Sequence, residues 1–316
     1  MKKNIKIGTR GSALALWQAN LVKSELKKKY PECQVELVKI KTTGDKILDV
    51  PLAKVGGKGL FVKEIEEALL DKKVDLAVHS MKDVPTDFPK GLHLSAILER
   101  EDPRDAFITK GSRGQGVKGQ GFKDLPQGAT IGTSSLRRSS QLLNIRPDLK
   151  IVQLRGNLDT RIRKLDEGQF DAIILAAAGV KRLGLKNRIT ELLSPDISLP
   201  AIGQGAIGIE TRTDAQEINE MVKFLNHKET SICVRAERAF LKKLEGGCQV
   251  PIAAYGVIDG ENIKLSGLVA SVDGKKIIKD VIVGNVDEAE SLGVQLAETL
   301  LNKGAWDILK EVYASR

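Results

Sequence analysis

Short apolar runs alternate with amphipathic stretches through the first two-thirds of the chain, and this alternation limits the possible folds more than any other feature. Before Pro103, the pattern predicts strands at 4–7, 34–40 and 76–79, and helices at 13–30 and 60–70. After Pro103, it predicts strands at 106–109, 130–132, 150–154 and 172–175, and helices near 135–144 and 160–167. Repeated strand–helix–strand units build largely parallel sheets with helices on their faces. The sequence therefore predicts an α/β protein with two such regions.

The pattern changes beyond about residue 227. One helix is predicted up to residue 244, followed by strands at 253–258, 263–271 and 276–283 and then further helices. The pairs Asp259-Gly260 and Asp273-Gly274 separate these strands, and Asp-Gly pairs favour tight hairpins. This part is predicted to be a small α+β domain with a three-stranded antiparallel sheet.

Charge and length narrow the class of protein. The chain has 316 residues, which favours two or three domains over one core. Its net charge of +9 indicates an anionic partner. Aromatic residues make up only 4% of the chain and the basic residues are dispersed, so a single-stranded nucleic acid is not the expected partner.

The three cysteines and the amino-terminal sequence indicate a reducing compartment. Cys33, Cys233 and Cys248 are odd in number and form no CxxC pair, so neither a disulfide framework nor a zinc site is predicted. Met1-Lys2-Lys3 is not followed by the apolar stretch of a signal peptide. We expect a cytoplasmic protein with no membrane segment.

Several glycine and histidine motifs are weak. The stretches 114–119 and 203–208 match GxGxxG, but neither precedes a convincing helix. The glycines at 56–59 lack the spacing of a P-loop. The three histidines are isolated and carry no metal-ligand spacing, so no metal is expected; they are His79, His93 and His227.

Basic residues that follow predicted strands are more informative. They are Arg10, Lys82, Arg137, Arg138, Arg155, Lys181 and Arg182. In open α/β sheets, ligands bind beyond the carboxyl ends of the strands. Small hydroxyl or amide residues in several of these turns would cap the next helix, and helix amino termini also attract anions. Each residue alone could be an ordinary surface cation, but together they predict a cleft between the two α/β regions that binds carboxylates or phosphates.

One acid and one thiol stand out beside these cations. Asp83 follows Lys82, and it is either a turn-forming residue or a carboxylate that stabilises a developing cation or moves a proton. Cys248 lies in the loop Glu245-Gly246-Gly247-Cys248-Gln249, where a thiol is accessible as a nucleophile or an attachment point. No histidine is an obvious base for it.

Eight stretches in this order carry a resemblance to a known family. They are 9–18 (TRGSALALWQ), 55–61 (VGGKGLF), the Asp83 segment 79–85, 101–106 (EDPRDA), 132–138 (GTSSLRR), 154–157 (LRGN), 199–205 (LPAIGQG) and the Cys248 loop. Over nearly its whole length the chain resembles the porphobilinogen deaminase, or hydroxymethylbilane synthase, family. One departure is the glycine-rich stretch 110–123, which is longer than the family pattern suggests.

The resemblance implies three domains, two of them like the lobes of periplasmic binding proteins. The first α/β lobe would comprise 1–99 and 203–224, and the second 103–199. The C-terminal α+β domain, 228–316, would carry the cofactor cysteine. Residues 207–209 would then return to the first lobe as an added strand.

The resemblance also implies a transferase of tetrapyrrole, or haem, biosynthesis. Such an enzyme condenses four porphobilinogen molecules head to tail into hydroxymethylbilane and releases ammonia at each step. The growing polypyrrole chain is held on a covalent dipyrromethane cofactor, and Cys248 matches its thioether attachment. The thiol would then need no base, because it holds the primer and does not turn over.

Family roles fall on matching positions of this sequence. Asp83 matches the catalytic aspartate, which would hydrogen-bond the pyrrole N–H and favour the azafulvenium-like cation that forms as ammonium leaves. The positions that match carboxylate-binding residues are Arg10, Lys82, Ser134, Arg137, Arg138, Arg155, Arg161 and Arg182. The candidate lid loop contains Gly56, Gly57, Lys58 and Phe61. We expect a cytoplasmic monomer with no metal, no nucleic-acid partner and no membrane partner.

Two other classes compete with the enzyme interpretation. A non-enzymatic two-lobe binding or sensor protein for an anionic small molecule would use the same lobes, but it has no need of the Cys248 thiol. A nucleic-acid-binding protein is disfavoured by the dispersed charge and scarce aromatic residues.

Overall fold

The computed structural model describes residues 2–46, 59–110, 121–244 and 250–314. The chain divides into two compact units, Met1–Glu101 with Ala206–Ile232 and Asp102–Gly205 with Cys233–Arg316. Each unit contains a five-stranded sheet, and the second also contains a three-stranded sheet. The predicted fold class is confirmed: the protein is α/β, with two lobes and a small C-terminal antiparallel sheet. The exact domain boundaries stay predictions.

The first unit is built on a sheet with the strand order β2-β1-β3-β10-β4. Its strands are β1 (Asn4–Thr9), β2 (Gln34–Lys39), β3 (Leu76–Ser80), β4 (Leu92–Ile97) and β10 (Ile207–Arg212). Its helices are α1 (Ala13–Lys29), α2 (Thr43–Lys46), α3 (Lys63–Leu70) and α7 (Gln216–Val222). β1 is parallel to β2 and β3, whereas β10 is antiparallel to both β3 and β4. β10 therefore lies inside the sheet, far from its neighbours in sequence.

The local sequence of helix α1 explains both ends of the helix and its packing against β1. Ser12 caps the helix, because its Oγ accepts a hydrogen bond from the backbone N–H of Ala15 at 3.3 Å. Lysines fill the last turn, where positive charge is favoured by the helix dipole. Val22 and Leu26 are fully buried in the same core as Ile5 of β1. The apolar stripe of the helix thus fixes β1, and the turn after β1, against the rest of the unit.

The second unit repeats this arrangement with the strand order β7-β6-β8-β5-β9. Its strands are β5 (Asp105–Thr109), β6 (Thr130–Gly132), β7 (Lys150–Val152), β8 (Ala172–Ala176) and β9 (Glu191–Leu193). Its helices are α4 (Leu136–Ile145), α5 (Leu158–Asp166) and α6 (Ala177–Arg182). β6 is parallel to β7 and β8, and β5 is antiparallel to β8 and β9. In both sheets only the fourth strand runs against the others, so both are mixed and mostly parallel.

The C-terminal region contains the predicted hairpins. Its elements are α8 (Lys228–Lys243), β11 (Ile252–Asp259), β12 (Asn262–Ala270), β13 (Ile277–Asn285), α9 (Ala289–Leu300) and α10 (Trp306–Ala314). Asp259 pairs with Asn262 across the first turn, and Ala270 pairs with Ile277 across the second. Both Asp-Gly glycines have positive φ, +59° at Gly260 and +74° at Gly274, which is why glycine is favoured there.

The second hairpin turn packs on helix α4. Asn144 of α4 donates a hydrogen bond from Nδ2 to the carbonyl oxygen of Gly274 at 2.8 Å. A Cβ atom added at Gly274 would lie 2.4 Å from the carbonyl oxygen of Ser140. The C-terminal sheet is therefore fixed to the helix that begins just beyond β6.

Candidate functional site

A small pocket of about 60 Å³ lies at the strand ends of the first unit. Its polar lining comprises Arg10, Ser12, Gln18, His79, Ser80 and Asp83. These residues come from the turn after β1, the first two turns of α1, and the end of β3 with the turn that follows. The structure thus brings together three of the predicted site residues, Arg10, Phe61 and Asp83, in one pocket.

Arg10 follows β1 and already has a carboxylate partner within the first unit. Its Nε donates to Asp45 Oδ1 at 3.2 Å, and Nη2 also donates to that oxygen. The guanidinium lies over the Phe61 ring, 4.2 Å from the ring centroid. Burial alone would raise the pKa of Asp45, but hydrogen bonds from Arg10 and Thr42 outweigh it and lower the pKa. The two side chains stay 25% and 23% exposed, so the ion pair borders solvent.

Lys82 and Asp83 lie in a 3₁₀ turn, Met81–Asp83, directly after β3. The backbone N–H of Met81 donates to the carbonyl oxygen of Ala206 at 3.0 Å, which fixes the start of this turn next to β10. Lys82 and Asp83 are both half-buried. Within the described residues, the Asp83 carboxylate accepts no hydrogen bond and forms no ion pair. Its oxygens are therefore available to a donor that enters the pocket.

Arg137 and Arg138 lie in the first turn of α4, and both converge on Asp105. Arg137 Nη1 donates to Asp105 Oδ2 at 2.7 Å and to the carbonyl oxygen of Leu199 at 2.8 Å. Arg138 Nη2 donates to Asp105 Oδ1 at 2.8 Å, and its Nη1 donates to the carbonyl oxygen of Ile174 at 3.1 Å. The two arginine side chains are 6% and 7% exposed, and Asp105 is fully buried. These guanidinium groups are thus part of the core of the second unit.

The electrostatics of this cluster follow from its burial. Burial alone would raise the pKa of Asp105, but the two guanidinium charges hold it far below its usual range. Burial also lowers the pKa of Arg138, against the opposing effect of the Asp105 charge. One carboxylate shared by two cations leaves a local net charge of +1. The cluster therefore keeps an attraction for anions.

Ser134 and Arg155 lie in the two neighbouring loops beyond β6 and β7. Ser134 Oγ donates to the carbonyl oxygen of Leu154 at 2.7 Å, and the N–H of Leu154 donates to Ser134 Oγ at 3.1 Å. This mutual pair joins the two loops. Arg155 is half-buried beside Leu154, and Asn157 then caps α5 by accepting from the N–H of Thr160 at 2.9 Å.

Arg161 and Arg182 are also half-buried, and both donate to backbone carbonyl groups. Arg161 Nε donates to Gly156 at 2.8 Å, and Arg182 Nη2 donates to Gly205 at 2.7 Å. These bonds fix both guanidinium groups to the backbone of the second unit.

Some predicted residues lie outside the described part of the chain. They are Gly56, Gly57 and Lys58 of the candidate lid and Cys248, the predicted attachment site. Most of the glycine-rich stretch, 111–120, lies outside it as well. Phe61 is described, and its ring lies under Arg10.

Sequence reasoning missed the acids that partner these arginines. Asp105 belongs to a motif that carried the resemblance, and an acid at the start of an apolar strand was the signal that could have identified it. Asp45 had no comparable signal. His79 lies near the end of β3, where it is buried and bonded to Glu210 at 2.9 Å.

Metal-binding clusters and membrane-spanning helices are both absent from the described residues. No group of three or more His, Cys, Asp or Glu side chains there is arranged to hold a metal ion. No helix among them has both the length and the apolar character needed to span a membrane.

Together, the fold and these sites define a two-lobed α/β protein with cationic and hydroxyl groups beyond the strand ends of both sheets. Family models refine this class. Residues 5–220 match "Porphobilinogen deaminase, dipyromethane cofactor binding domain", and residues 231–302 match "Porphobilinogen deaminase, C-terminal domain". The chain belongs to the porphobilinogen deaminase family. This confirms both the resemblance and the predicted dipyrromethane cofactor.

Curated relatives match along almost their whole length. The porphobilinogen deaminase of Geobacter sulfurreducens is 62% identical over 98% of this chain and 95% of its own length. That of Pelobacter propionicus is 59% identical over 98% of both chains.

Solved structures with similar folds include two periplasmic proteins. The BvgS periplasmic VFT2 domain of Bordetella pertussis has a TM-score of 0.41 and 16% identity, covering 70% of this chain and 86% of its own. The aliphatic sulphonate binding protein SsuA of Escherichia coli has a TM-score of 0.41 and 16% identity, covering 78% and 71%. The fold class rests on the two sheets described above.

Proposed function

We propose that this chain condenses four porphobilinogen molecules head to tail into hydroxymethylbilane and releases ammonia at each step. It is a transferase of tetrapyrrole biosynthesis, and its product chain grows on a covalent dipyrromethane primer. The observation that carries this proposal is the near full-length identity of about 60% to porphobilinogen deaminases. A non-enzymatic two-lobe binding protein is not favoured, because the relatives that match the whole chain are enzymes.

The residues that line the first-unit pocket suit a dipyrromethane. A dipyrromethane offers carboxylates, which suit the Arg10 guanidinium in the pocket lining. It also offers pyrrole N–H donors, which suit the Asp83 carboxylate because that side chain has no partner among the described residues. We assign its covalent attachment to Cys248. When bound, the dipyrromethane supplies the pyrrole carbon to which the first substrate is joined.

Asp83 is the catalytic residue in this proposal. Its carboxylate accepts a hydrogen bond from the pyrrole N–H of the substrate. It stabilises the positive charge that develops on the substrate as the ammonium group departs. The Asp83 side chain is half-buried, which strengthens this attraction relative to bulk water. Lys82 beside it attracts a substrate carboxylate and thereby orients the ring.

The remaining predicted basic residues act as carboxylate binders. Arg155, Arg161 and Arg182 are half-buried cations of the second unit, and their positive charge attracts carboxylates. Arg137 and Arg138 contribute differently, because their contacts with Asp105 already fix their positions. They attract anions through the net positive charge of their cluster with Asp105 and through any guanidinium N–H groups that face the ligand. Ser134 donates its hydroxyl or accepts through it.

An intact-mass measurement tests both the cofactor and the attachment. Protein purified without denaturation should be heavier than the bare polypeptide by two pyrrole units, and Cys248→Ser should lose that added mass. Cys33→Ser is the matched control, because Cys33 is buried in the core of the first unit. A bare-polypeptide mass together with no consumption of porphobilinogen would overturn the proposal.

A second variant tests the chemistry. Asp83→Asn should keep the fold and the added mass but lose turnover by about 10²–10⁴-fold, the range expected for a direct acid–base or electrostatic group. Normal turnover in that variant would refute the role of Asp83. The cytoplasmic location, the monomeric state and the lack of nucleic-acid or membrane partners stay predictions.

A further inference from the structure

Three titratable side chains lie buried in the first unit, next to the pocket that contains Asp83. His79 on β3 and Glu210 on β10 are joined by a contact of 2.9 Å between Nε2 and Oε2, and their side chains are 4% and 1% exposed. Glu66 on α3 is the third member, and it is 8% exposed. None of the three is used in the function proposed above.

The second carboxylate oxygen of Glu210 is unusual. Oε1 is buried and has no hydrogen-bond partner among the described residues. Buried polar atoms are nearly always paired, so an unpaired carboxylate oxygen indicates an acceptor that is waiting for a proton or a water molecule. Glu210 thus has one oxygen bonded to His79 and one oxygen available inside the protein.

Glu66 is poised to exchange a proton near neutral pH. Burial, followed by the negative charge of Glu210, raises the pKa of Glu66 to about 7, while His79 acts in the opposite direction. At neutral pH a buried carboxyl of this kind is protonated for a large fraction of the time.

The other groups that face this cluster do not neutralise it. On α3, Glu67 adds negative charge and Glu64 accepts a hydrogen bond from the backbone of Thr43 at 2.7 Å. On β10, Arg212 Nη1 donates to two backbone carbonyl groups and the side chain also pairs with Asp214. Across the sheet, Glu210 pairs with Ala77 of β3 and Leu94 of β4, neither of which carries charge.

Each condensation of the proposed reaction must dispose of one proton. The substrate carries its amine as an ammonium group; the carbon–nitrogen bond breaks, ammonia leaves with the bonding electron pair, and the positive charge passes to the pyrrole. A carbon–carbon bond then forms from the attacked pyrrole carbon, whose C–H electrons return to the ring. The hydrogen on that carbon is released as a proton, which must leave the pocket before the next addition.

We propose that His79, Glu210 and Glu66 form a proton-holding cluster that receives this proton from the Asp83 pocket. The inference rests on the proposed function. His79 borders the pocket and is bonded to Glu210, so it is the point at which the pocket reaches the cluster. Glu210 and Glu66 are buried and act through His79. The proton is later returned to solvent, which resets the cluster for the next cycle.

The first test observes the proton directly in the wild-type holoenzyme. Infrared difference spectra recorded between pH 5 and pH 9 should show the carbonyl stretch of a protonated carboxylic acid that disappears near pH 7. Glu66→Gln should remove this band, whereas Glu67→Gln, a neighbour on the exposed side of α3, should retain it. If the wild-type protein shows no such band, the proposal is overturned, whatever the variants do.

The second test uses the pH dependence of turnover. The cluster can accept a proton only when Glu66 is ionised, so wild-type kcat should rise through about pH 7. Glu66→Gln should resemble wild type at pH 6 and be about tenfold slower at pH 8, less than the loss expected for a direct general base. Glu67→Gln should follow the wild-type profile. A merely structural role for Glu66 would lower kcat by the same factor at every pH, and that result would contradict the proposal.

Two controls keep the outcomes separate. If Glu66→Gln does not fold, Glu210→Gln serves in its place, because it removes the charge that raises the pKa of Glu66 and should move the infrared transition to lower pH. Wild-type protein that carries the added mass but never consumes porphobilinogen would defeat the proposed function alone. Wild-type turnover with superimposable profiles for Glu66→Gln and Glu67→Gln would defeat the proton-holding cluster alone.

Discussion

The two five-stranded sheets share one pattern of strand directions, with only the fourth strand antiparallel, but the arginines that follow their second strands lie in opposite environments. In the first sheet, Arg10 follows β1 and pairs with Asp45 at the edge of a pocket, where both side chains meet solvent. In the second sheet, Arg137 and Arg138 follow β6 and pair with Asp105 inside the core. The same topological position therefore holds an exchangeable ion pair in one unit and a structural one in the other.

The third strand of each sheet shows a related difference. β3 is followed by Asp83, an acid without a partner among the described residues, and β8 leads into α6, which ends at the cation Arg182. At this position the first unit therefore presents an acid and the second a cation, although the two strands occupy equivalent places in their sheets.

The largest effect should come from removing the buried partner in the second unit. Asp105→Asn leaves two guanidinium groups buried without a counter-charge, so the free energy of unfolding should fall by about 3–5 kcal/mol. Urea denaturation measures it. Asp166→Asn is the control, because it breaks a half-exposed pair with Arg188 and should cost about 1 kcal/mol or less. Equal costs in the two variants would show that the Asp105 cluster is not structural.

The two units should also respond to pH in opposite directions. The lowered pKa of Asp105 stabilises the fold above about pH 4, and that stability is lost only as the pH falls further. The raised pKa of Glu66 means that stability falls as the pH rises from 4.5 to about 7. Glu66→Gln should therefore remove a decrease of roughly 2–3 kcal/mol over this interval. An unchanged slope between pH 5 and pH 7, measured by urea denaturation, would contradict this expectation.

A smaller effect is expected where the C-terminal sheet packs on α4. Gly274→Ala forces a Cβ atom against the carbonyl oxygen of Ser140 and strains a residue with φ of +74°, so it should destabilise the protein by about 1–3 kcal/mol. Gly260→Ala is a matched control in the other Asp-Gly hairpin, with φ of +59° and no atom within 4 Å of the added Cβ. It should cost about 1 kcal/mol. If both variants melt alike, the contact with α4 contributes little.

The sequence predicted most of the elements but not the distant pairings. The hairpins of the C-terminal sheet were predictable because Asp-Gly turns act locally. Residues 92–97 and 191–193 were missed as strands. The second is only three residues long, and the first, although its apolar and polar side chains alternate, pairs with a strand remote in sequence. The return of β10 to the first sheet came only from the family resemblance, since nothing in the local sequence encodes a neighbour more than 100 residues away.

For the candidate site, the sequence predicted where the residues lie in the fold better than it predicted their burial and ion pairing. Arg10 and Arg137 could both be placed beyond a strand end, because strand-end positions follow from the linear pattern. Whether each is exposed depends on where an acid arrives from another element, such as Asp45 from α2 or Asp105 from β5. Burial and ion pairing are properties of tertiary packing, so the contrast between the two sheets could not be predicted from the sequence.

The smallest effect should come from the exposed pair of the first unit. Asp45→Asn releases Arg10 from a half-exposed ion pair, which is worth only about 0.2–1 kcal/mol, so the stability should hardly change. If Arg10 binds a substrate carboxylate, the released guanidinium should lower KM for porphobilinogen by up to about fivefold, the equivalent of 1 kcal/mol. Steady-state kinetics of the holoenzyme measure this effect, with Asp166→Asn as the control. A higher KM would mean that Asp45 orients Arg10 for the substrate and does not compete with it. The Arg10–Asp45 pair of the first unit would then be as fixed as the buried Asp105 cluster of the second.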